Sequence, residues 1–195
     1  MSIKKDFTLM AILLIPVAIA VNIVGGQLVN LLKLPAYLDT IGTILIAGIA
    51  GPWVGAVTGI LSNMLNAIFA PNLLPYAFVS MCIALAVGFL ARARMFTTIW
   101  KSILTGVVLV IVAVLASLPI TLFIFGGVSG GGSTVITGAL LAAGNELLES
   151  VLAASFITEI VDKILSCIIV FFIIKGMSER YLSNFSLGQI YIENK

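Results

Sequence analysis

The sequence predicts an all-α membrane protein, a bundle of six transmembrane helices, and three observations predict it. Of the 195 residues, 61% are hydrophobic and 9% are charged, whereas a soluble domain carries roughly 25% charged residues. Apolar runs recur near 8–32, 40–50, 53–69, 75–91, 102–125 and 151–175, and a span takes about 20 apolar residues. Lys and Arg collect at the ends of these runs rather than inside them, Lys163 excepted. The chain reads as one integral membrane domain, 1–195.

The first run follows a basic start, Lys4-Lys5, of the kind that opens a signal peptide. It is too long for a signal h-region and no small-x-small cleavage site follows, so it is read as a retained span. The stretch 40–69 is interrupted by Gly51-Pro52. An interior proline removes a backbone hydrogen bond and clashes with the preceding turn, which predicts two short helices joined there. The last run breaks its apolar pattern with Glu159, Asp162 and Lys163, charged residues in the interior of a span.

Orientation follows from Lys and Arg near the span ends, because cytoplasmic loops hold the excess. With the N-terminus inside, Lys4, Lys5, Arg92, Arg94, Lys101, Lys175, Arg180 and Lys195 are cytoplasmic, eight against Lys33 outside. Six spans put both termini inside. Three loops then face outward: Lys33 to Asp39, Ala70 to Pro75, and a long Gly-rich stretch from Gly126 to about Ser150, within which Thr137 to Ser150 is expected to form a short helix. Elaborate outer loops on a compact bundle point to a binding site reached from outside.

Charges inside a span are costly and usually face a bundle interior or a water-filled cavity. Ser155, Glu159, Asp162, Lys163 and Ser166 fall on one face of the last helix at about 100° per residue. That stripe either lines a substrate cavity, or Glu159 and Lys163 neutralise each other four residues apart while Asp162 bonds a neighbouring helix. If it lines the site, Asp162→Asn lowers affinity more than stability. A second polar group lies near the outer ends: Asn22, Gln27, Asn30, Asn63, Asn66, Asn72 and Tyr76, with Asn145, Glu146 and Glu149 before the last span. Amides and a phenol, with Trp53, Phe69, Tyr76 and Phe78 as stacking faces, suit a small heteroaromatic ligand. Amides also serve as packing glue between helices.

Other features exclude function classes. The chain has no His, and Cys82 and Cys167 lie in apolar runs without CxxC spacing, which gives neither a zinc site nor a disulfide framework. A net charge of +2 without a basic run does not fit nucleic acid. Gly126 to Ser133 lacks the lysine of a phosphate loop. Gly51, Gly55 and Gly59, four apart, read as close helix packing.

The stretch Tyr37-Leu38-Asp39-Thr40-Ile41-Gly42-Thr43-Ile44, followed by Gly51-Pro52-Trp53-Val54-Gly55-Ala56, resembles the substrate-binding S component of energy-coupling factor (ECF) vitamin transporters, and the resemblance runs over nearly the whole chain. It implies a non-enzymatic, multi-pass subunit of the bacterial plasma membrane, held in lipid and without a cofactor. Such a subunit captures a water-soluble vitamin or precursor at the outer face and associates with a transmembrane coupling protein and two cytoplasmic ATPase subunits. The ligand expected within that family is heteroaromatic, such as a B6 vitamer or a pyrimidine or purine-like base. The resemblance points to Asp39, Tyr76, Asn145, Glu146, Glu159, Asp162 and Lys163 as substrate-binding residues. One departure stands out: the first span lacks the family's Ala-x-x-x-Ala docking pair, and Ala18, Asn22 and Gly26 form its nearest small-polar line.

Two other classes compete. A membrane sensor module would need an attached output domain, and only about twenty residues follow the last span. An intramembrane enzyme using Glu159 and Asp162 as an acid/base pair would need an activated nucleophile, a histidine or a metal cluster beside them.

The orientation is tested with cysteines placed at Ser2, Ser129 and Ser183. An impermeant reagent applied to intact cells is expected to label only position 129, and labelling at 2 or 183 sinks the N-in, C-in arrangement.

Overall fold

The computed structural model describes residues 5–32, 34, 36–128, 130 and 132–194. Lys4, Lys33 and Lys195 of the basic count, and Ser2 and Ser129 of the labelling scheme, lie outside the described residues. Among the described residues the fold is all-helical, with no strand: α1 Leu9–Leu32, α2 Ile41–Ala50, α3 Pro52–Asn66, α4 Ala77–Arg92, α5 Ile99–Pro119, α6 Gly132–Ala142, α7 Leu147–Gly176, α8 Glu179–Leu182 and α9 Gly188–Ile192. A 3₁₀ turn, Pro71–Tyr76, leads into α4, and a π turn, Ile120–Ile124, extends α5. Three continuous helical runs, Leu9–Leu32, Pro71–Arg92 and Ile99–Ile124, are long and apolar enough to cross a membrane. With 30 residues, α7 is about 45 Å long, but its central charges interrupt the apolar sequence.

The helix of 10 residues, α2, sits at the centre and packs on α1, α3, α4 and α7. Every one of its residues is buried, as expected of a helix apolar on all faces. Burial on all sides leaves its end groups no access to water, so the protein must supply partners. At the N-terminal end, Asn22 Oδ1 accepts from Gly42 N at 2.7 Å and Thr43 N at 3.3 Å, while its Nδ2 donates to Thr43 Oγ1 and Ser62 Oγ, each at 2.8 Å. At the other end all four terminal carbonyls are met. Gly51 N donates to Ala47 O at 3.1 Å and Leu187 N to Ile49 O at 3.0 Å. Tyr191 OH donates to Gly48 O at 2.8 Å, and Ser186 Oγ to Ala50 O at 2.6 Å. The segment carrying α8 and α9 is thus folded back as a plug on the end of α2.

Gly51 turns the chain from α2 into α3 with φ of +110°, a conformation open to glycine, and Pro52 occupies the first helical position of α3, where its missing N–H costs nothing. The expected break at Gly51-Pro52 is therefore present. A Cβ on Gly55 would collide with Ala47 of α2, and one on Gly59 would crowd Ser80 of α4, so the glycine spacing serves internal packing. Ala18 and Asn22 of the small-polar line in α1 are buried as well, Ala18 directly against Gly42. That line is consumed inside the bundle.

Beside the plug, Asp6 accepts two bonds at 3.0 Å from Arg92 Nη2, and Arg94 pairs with Glu193 at 2.9 Å. One boundary differs from the expectation: α6 ends at Ala142 and α7 opens at Leu147. Gly144, at φ +92°, breaks the 137–150 stretch, and its last residues join the final helix instead of a separate one.

The Asn22 staple predicts a stability contrast. Asn22→Ala leaves several buried partners unsatisfied, each costing about 1–3 kcal/mol, whereas Gln27 is exposed. Thermal unfolding in detergent is expected to show a clear fall in midpoint for Asn22→Ala and almost none for Gln27→Ala. Equal shifts would remove the staple from the account.

Candidate functional site

Opposite the plug, a cavity of about 70 Å³ opens where the α1–α2 connection, α3, α4, α5, α7 and the start of α6 converge. Its wall holds Tyr37, Asp39 and Thr40 ahead of α2, Asn63 from α3, Tyr76 and Ser80 from the α4 region, Ser117 and Thr121 from α5, Gly130 and Ser133, and Ser155, Glu159 and Lys163 from α7.

The charges sit in α7 because the helical period stacks Ser155, Glu159 and Lys163 one turn apart on the face turned to α2. Lys163 is 2% exposed and Asp162 fully buried. The Lys163 ammonium touches Asp162 Oδ2 at very short range and lies 3.1 Å from Glu159 Oε2; it also donates to Thr40 Oγ1 at 3.4 Å. The other Asp162 oxygen, Oδ1, accepts from the backbone N–H groups of Tyr37 at 3.1 Å and Leu38 at 2.6 Å. Those two bonds fix the turn into α2, where Leu38 adopts φ of +48°, an uncommon conformation for a residue with a side chain.

Hydroxyl and aromatic groups close the wall. Tyr37 OH donates to Ser133 Oγ at 2.8 Å, which joins the α1–α2 connection to the start of α6. Tyr76 OH and Thr121 Oγ1 are 2.9 Å apart, and the Tyr76 ring lies parallel to Phe125 with centroids 5.9 Å apart. Thr121 faces inward because the π turn after Pro119 re-aims the end of α5, a distortion frequent at functional sites. Asn63 Nδ2 donates to Ser80 Oγ at 2.6 Å and to Gly59 O at 3.1 Å.

Of the residues expected to bind substrate, Asp39, Tyr76, Glu159 and Lys163 come together on this wall. Asp162 is placed behind it, bonded to backbone and Lys163, so a change there acts through the loop and the ammonium. Asn145 and Glu146 lie apart on the exposed α6–α7 turn: Asn145 Nδ2 donates to Leu140 O at 3.0 Å, ending α6, and Glu146 precedes the first turn of α7. Trp53, Phe69 and Phe78 are exposed rather than stacked into the cavity. Sequence reasoning missed Tyr37, Thr40, Ser80, Ser117, Thr121 and Ser133. The available signal was a Ser or Thr interrupting an apolar run, as at 117 and 121, but hydroxyls there so often bond their own helix carbonyls that it has little force.

A larger cavity of about 520 Å³ lies at the plug end among Phe96 to Ile99, Phe171, Ile174, Lys175, Tyr191 and Asn194. Among the described residues Lys175 is its sole ionised lining group.

Burial pushes the Asp39 carboxyl up to about 6, against the downward pull of Lys163 and with Asp162 adding to the rise. Burial likewise raises the Tyr37 phenol, with Glu159 adding to it, and keeps it a hydrogen-bond donor at neutral pH. A carboxyl near 6 in the fold and near 4 unfolded binds its proton more tightly when folded. Its charge therefore costs stability above pH 6, and that cost is relieved as the pH falls from about 6 to 4. Comparing thermal midpoints across this window, Asp39→Asn is expected to gain on the parent at neutral pH and lose the gain near pH 4. An unchanged difference at the two pH values would contradict the shift.

No protein-family model, curated protein or solved structure matches this chain, so the functional reading rests on its own residues.

Proposed function

We propose that this chain is the substrate-binding subunit of an ATP-driven importer of the ECF type, crossing the bacterial plasma membrane six times with both termini inside. It captures a small, water-soluble heteroaromatic vitamin or precursor at the outer face and hands the energy-requiring step to a transmembrane coupling protein and two ATPase subunits. The observation that carries this reading is the polar cavity at one end of the bundle. It is walled by the Tyr37–Thr40 stretch that bears the family resemblance and by the charged stripe of α7.

Charge placement supports the orientation. Arg92, Arg94 and Lys175 gather at the plug end, beside Asp6, Glu193 and the Phe96–Ile99 turn, while the cavity lies at the other end. Basic residues favour the cytoplasmic side, which turns the cavity outward. Chemistry of the wall supports binding without turnover: Lys163 is locked between carboxylates, and the Ser133 and Thr121 hydroxyls pair with Tyr37 and Tyr76. An intramembrane nucleophile would need an activating base within reach, and the Glu159 carboxylate is instead directed at Lys163.

The test is uptake. Cells making this subunit alone are expected to bind substrate without accumulating it, and uptake is expected to appear with the coupling protein and ATPases and to stop when ATP is depleted. Accumulation by the lone subunit in ATP-depleted cells would refute the proposal.

A further inference from the structure

The cavity has spent its strong donors on the protein and kept its acceptors. The Lys163 ammonium donates to Asp162 Oδ2 and, at 3.4 Å, to Thr40 Oγ1, and forms an ion pair with Glu159 Oε2 at 3.1 Å. Asn63 gives both amide hydrogens to Gly59 O and Ser80 Oγ, which leaves its carbonyl oxygen. Tyr37 gives its hydroxyl hydrogen to Ser133. Among the described residues, no residue other than Asp39 itself donates a hydrogen bond to the Asp39 carboxylate, and none reaches Glu159 Oε1. The serine and threonine hydroxyls turn either way.

The charge balance points in the same direction. Among the described residues, Asp39, Glu159 and Asp162 face one ammonium, Lys163, and the N-terminus of α2, which contributes about half a positive charge. The carboxyl groups around this wall outnumber the ammonium three to one among the described residues, in a buried site where unpaired charge is costly and a counter-charge is favoured. Among the described residues no three acidic, cysteine or histidine side chains converge as a metal-ligand set. The Tyr76 ring on the same wall offers a π surface to which an organic cation is drawn.

We propose that the cavity selects a small, flat organic cation, a molecule with a protonated nitrogen bearing N–H donors, which bond Asp39 and Glu159 while its face lies toward Tyr76. This rests on the reading of the cavity as the capture site, and it narrows the substrate class. An anionic ligand meets two carboxylates and no available charged donor; a neutral acceptor-rich ligand fares little better.

Three probes with one frame separate these cases: benzylamine, a cation at neutral pH; benzyl alcohol, neutral; and benzoate, an anion. Each is titrated into the full chain purified in detergent, with binding read by calorimetry and thermal shift. Benzylamine is expected to bind about tenfold tighter than the alcohol or better, a gap of about 1.4 kcal/mol, with benzoate the weakest. Asp39→Asn and Glu159→Gln are each expected to erase that preference. Should Glu159→Gln fail to fold because Lys163 loses a partner, Asp39→Asn decides the matter, since Asp39 stands outside the tight Lys163 contacts. Alcohol binding equal to amine, or benzoate binding tighter, overturns the cation proposal while leaving the capture-subunit reading intact. If none of the three binds, the cation proposal is lost, and the ATP-dependent uptake assay alone then judges the capture-subunit reading.

Discussion

A helix of ten residues buried on every face can turn neither end to water, and α2 is such a helix. An unmet buried N–H or C=O costs about 1–3 kcal/mol, so the groups at its two ends decide whether the bundle forms at all. Much of the remaining architecture answers that demand. α1 carries Asn22 to the N-terminal end, and the returning segment carries Ser186, Leu187 and Tyr191 to the carbonyls at the other. Asp162 of α7 holds the two backbone N–H groups just before the helix. Helices long enough to cross a membrane, such as α1 and α5, surround a centre that is too short to do so.

The charged cluster follows from the same constraint. Once Asp162 is committed to the turn before α2, it is a buried carboxylate, and an isolated one would be far too costly to keep. Lys163 beside it supplies the counter-charge, and Glu159 one turn away adds a second carboxylate to the same ammonium. Removing one partner from such a set leaves another charge buried alone, a loss of about 3–5 kcal/mol. The stripe is thus structural at Asp162 and faces the cavity at Glu159. The Glu159–Lys163 pair expected from the sequence is present, while Asp162 bonds the α1–α2 connection rather than a neighbouring helix.

How much was legible follows from how locally each feature is encoded. The apolar runs, the Gly51-Pro52 break and the shared face of Glu159 and Lys163 depend on neighbours within a turn or two, and all appear where the sequence puts them. The 40–50 run was legible as a helix but not as the centre of the bundle, because central placement is decided by partners from 22 to 191. Asn22 read as a possible ligand group for the same reason: its four partners lie on α2 and α3. Asn145 and Glu146 were grouped with the outer polar residues by sequence position, and the Gly144 turn carries them away from the cavity. Tyr37 and Ser133, 96 residues apart in sequence, have no local pattern that announces their bond.

That bond bears on how a ligand would enter. Small-molecule pockets span roughly 300–1,000 Å³, and this one encloses about 70 Å³. On the proposed reading, the structure is therefore a closed form, and a heteroaromatic ligand enters only when Tyr37 and Ser133 part. Parting them breaks Tyr37 OH to Ser133 and strains the two backbone bonds to Asp162. Neutral bonds contribute about 0.5–1.5 kcal/mol each and those to a charged group about 1.5–3, so opening carries a cost on that scale. A minor binding-competent state lowers apparent affinity by its own fraction, unless the ligand returns the energy on closure. Asp39 lies on the very connection that must move, one residue from Leu38. A ligand bonded to Asp39 and Glu159 at once would tie that connection to α7 in place of the broken contacts, so capture and closure would draw on the same few groups.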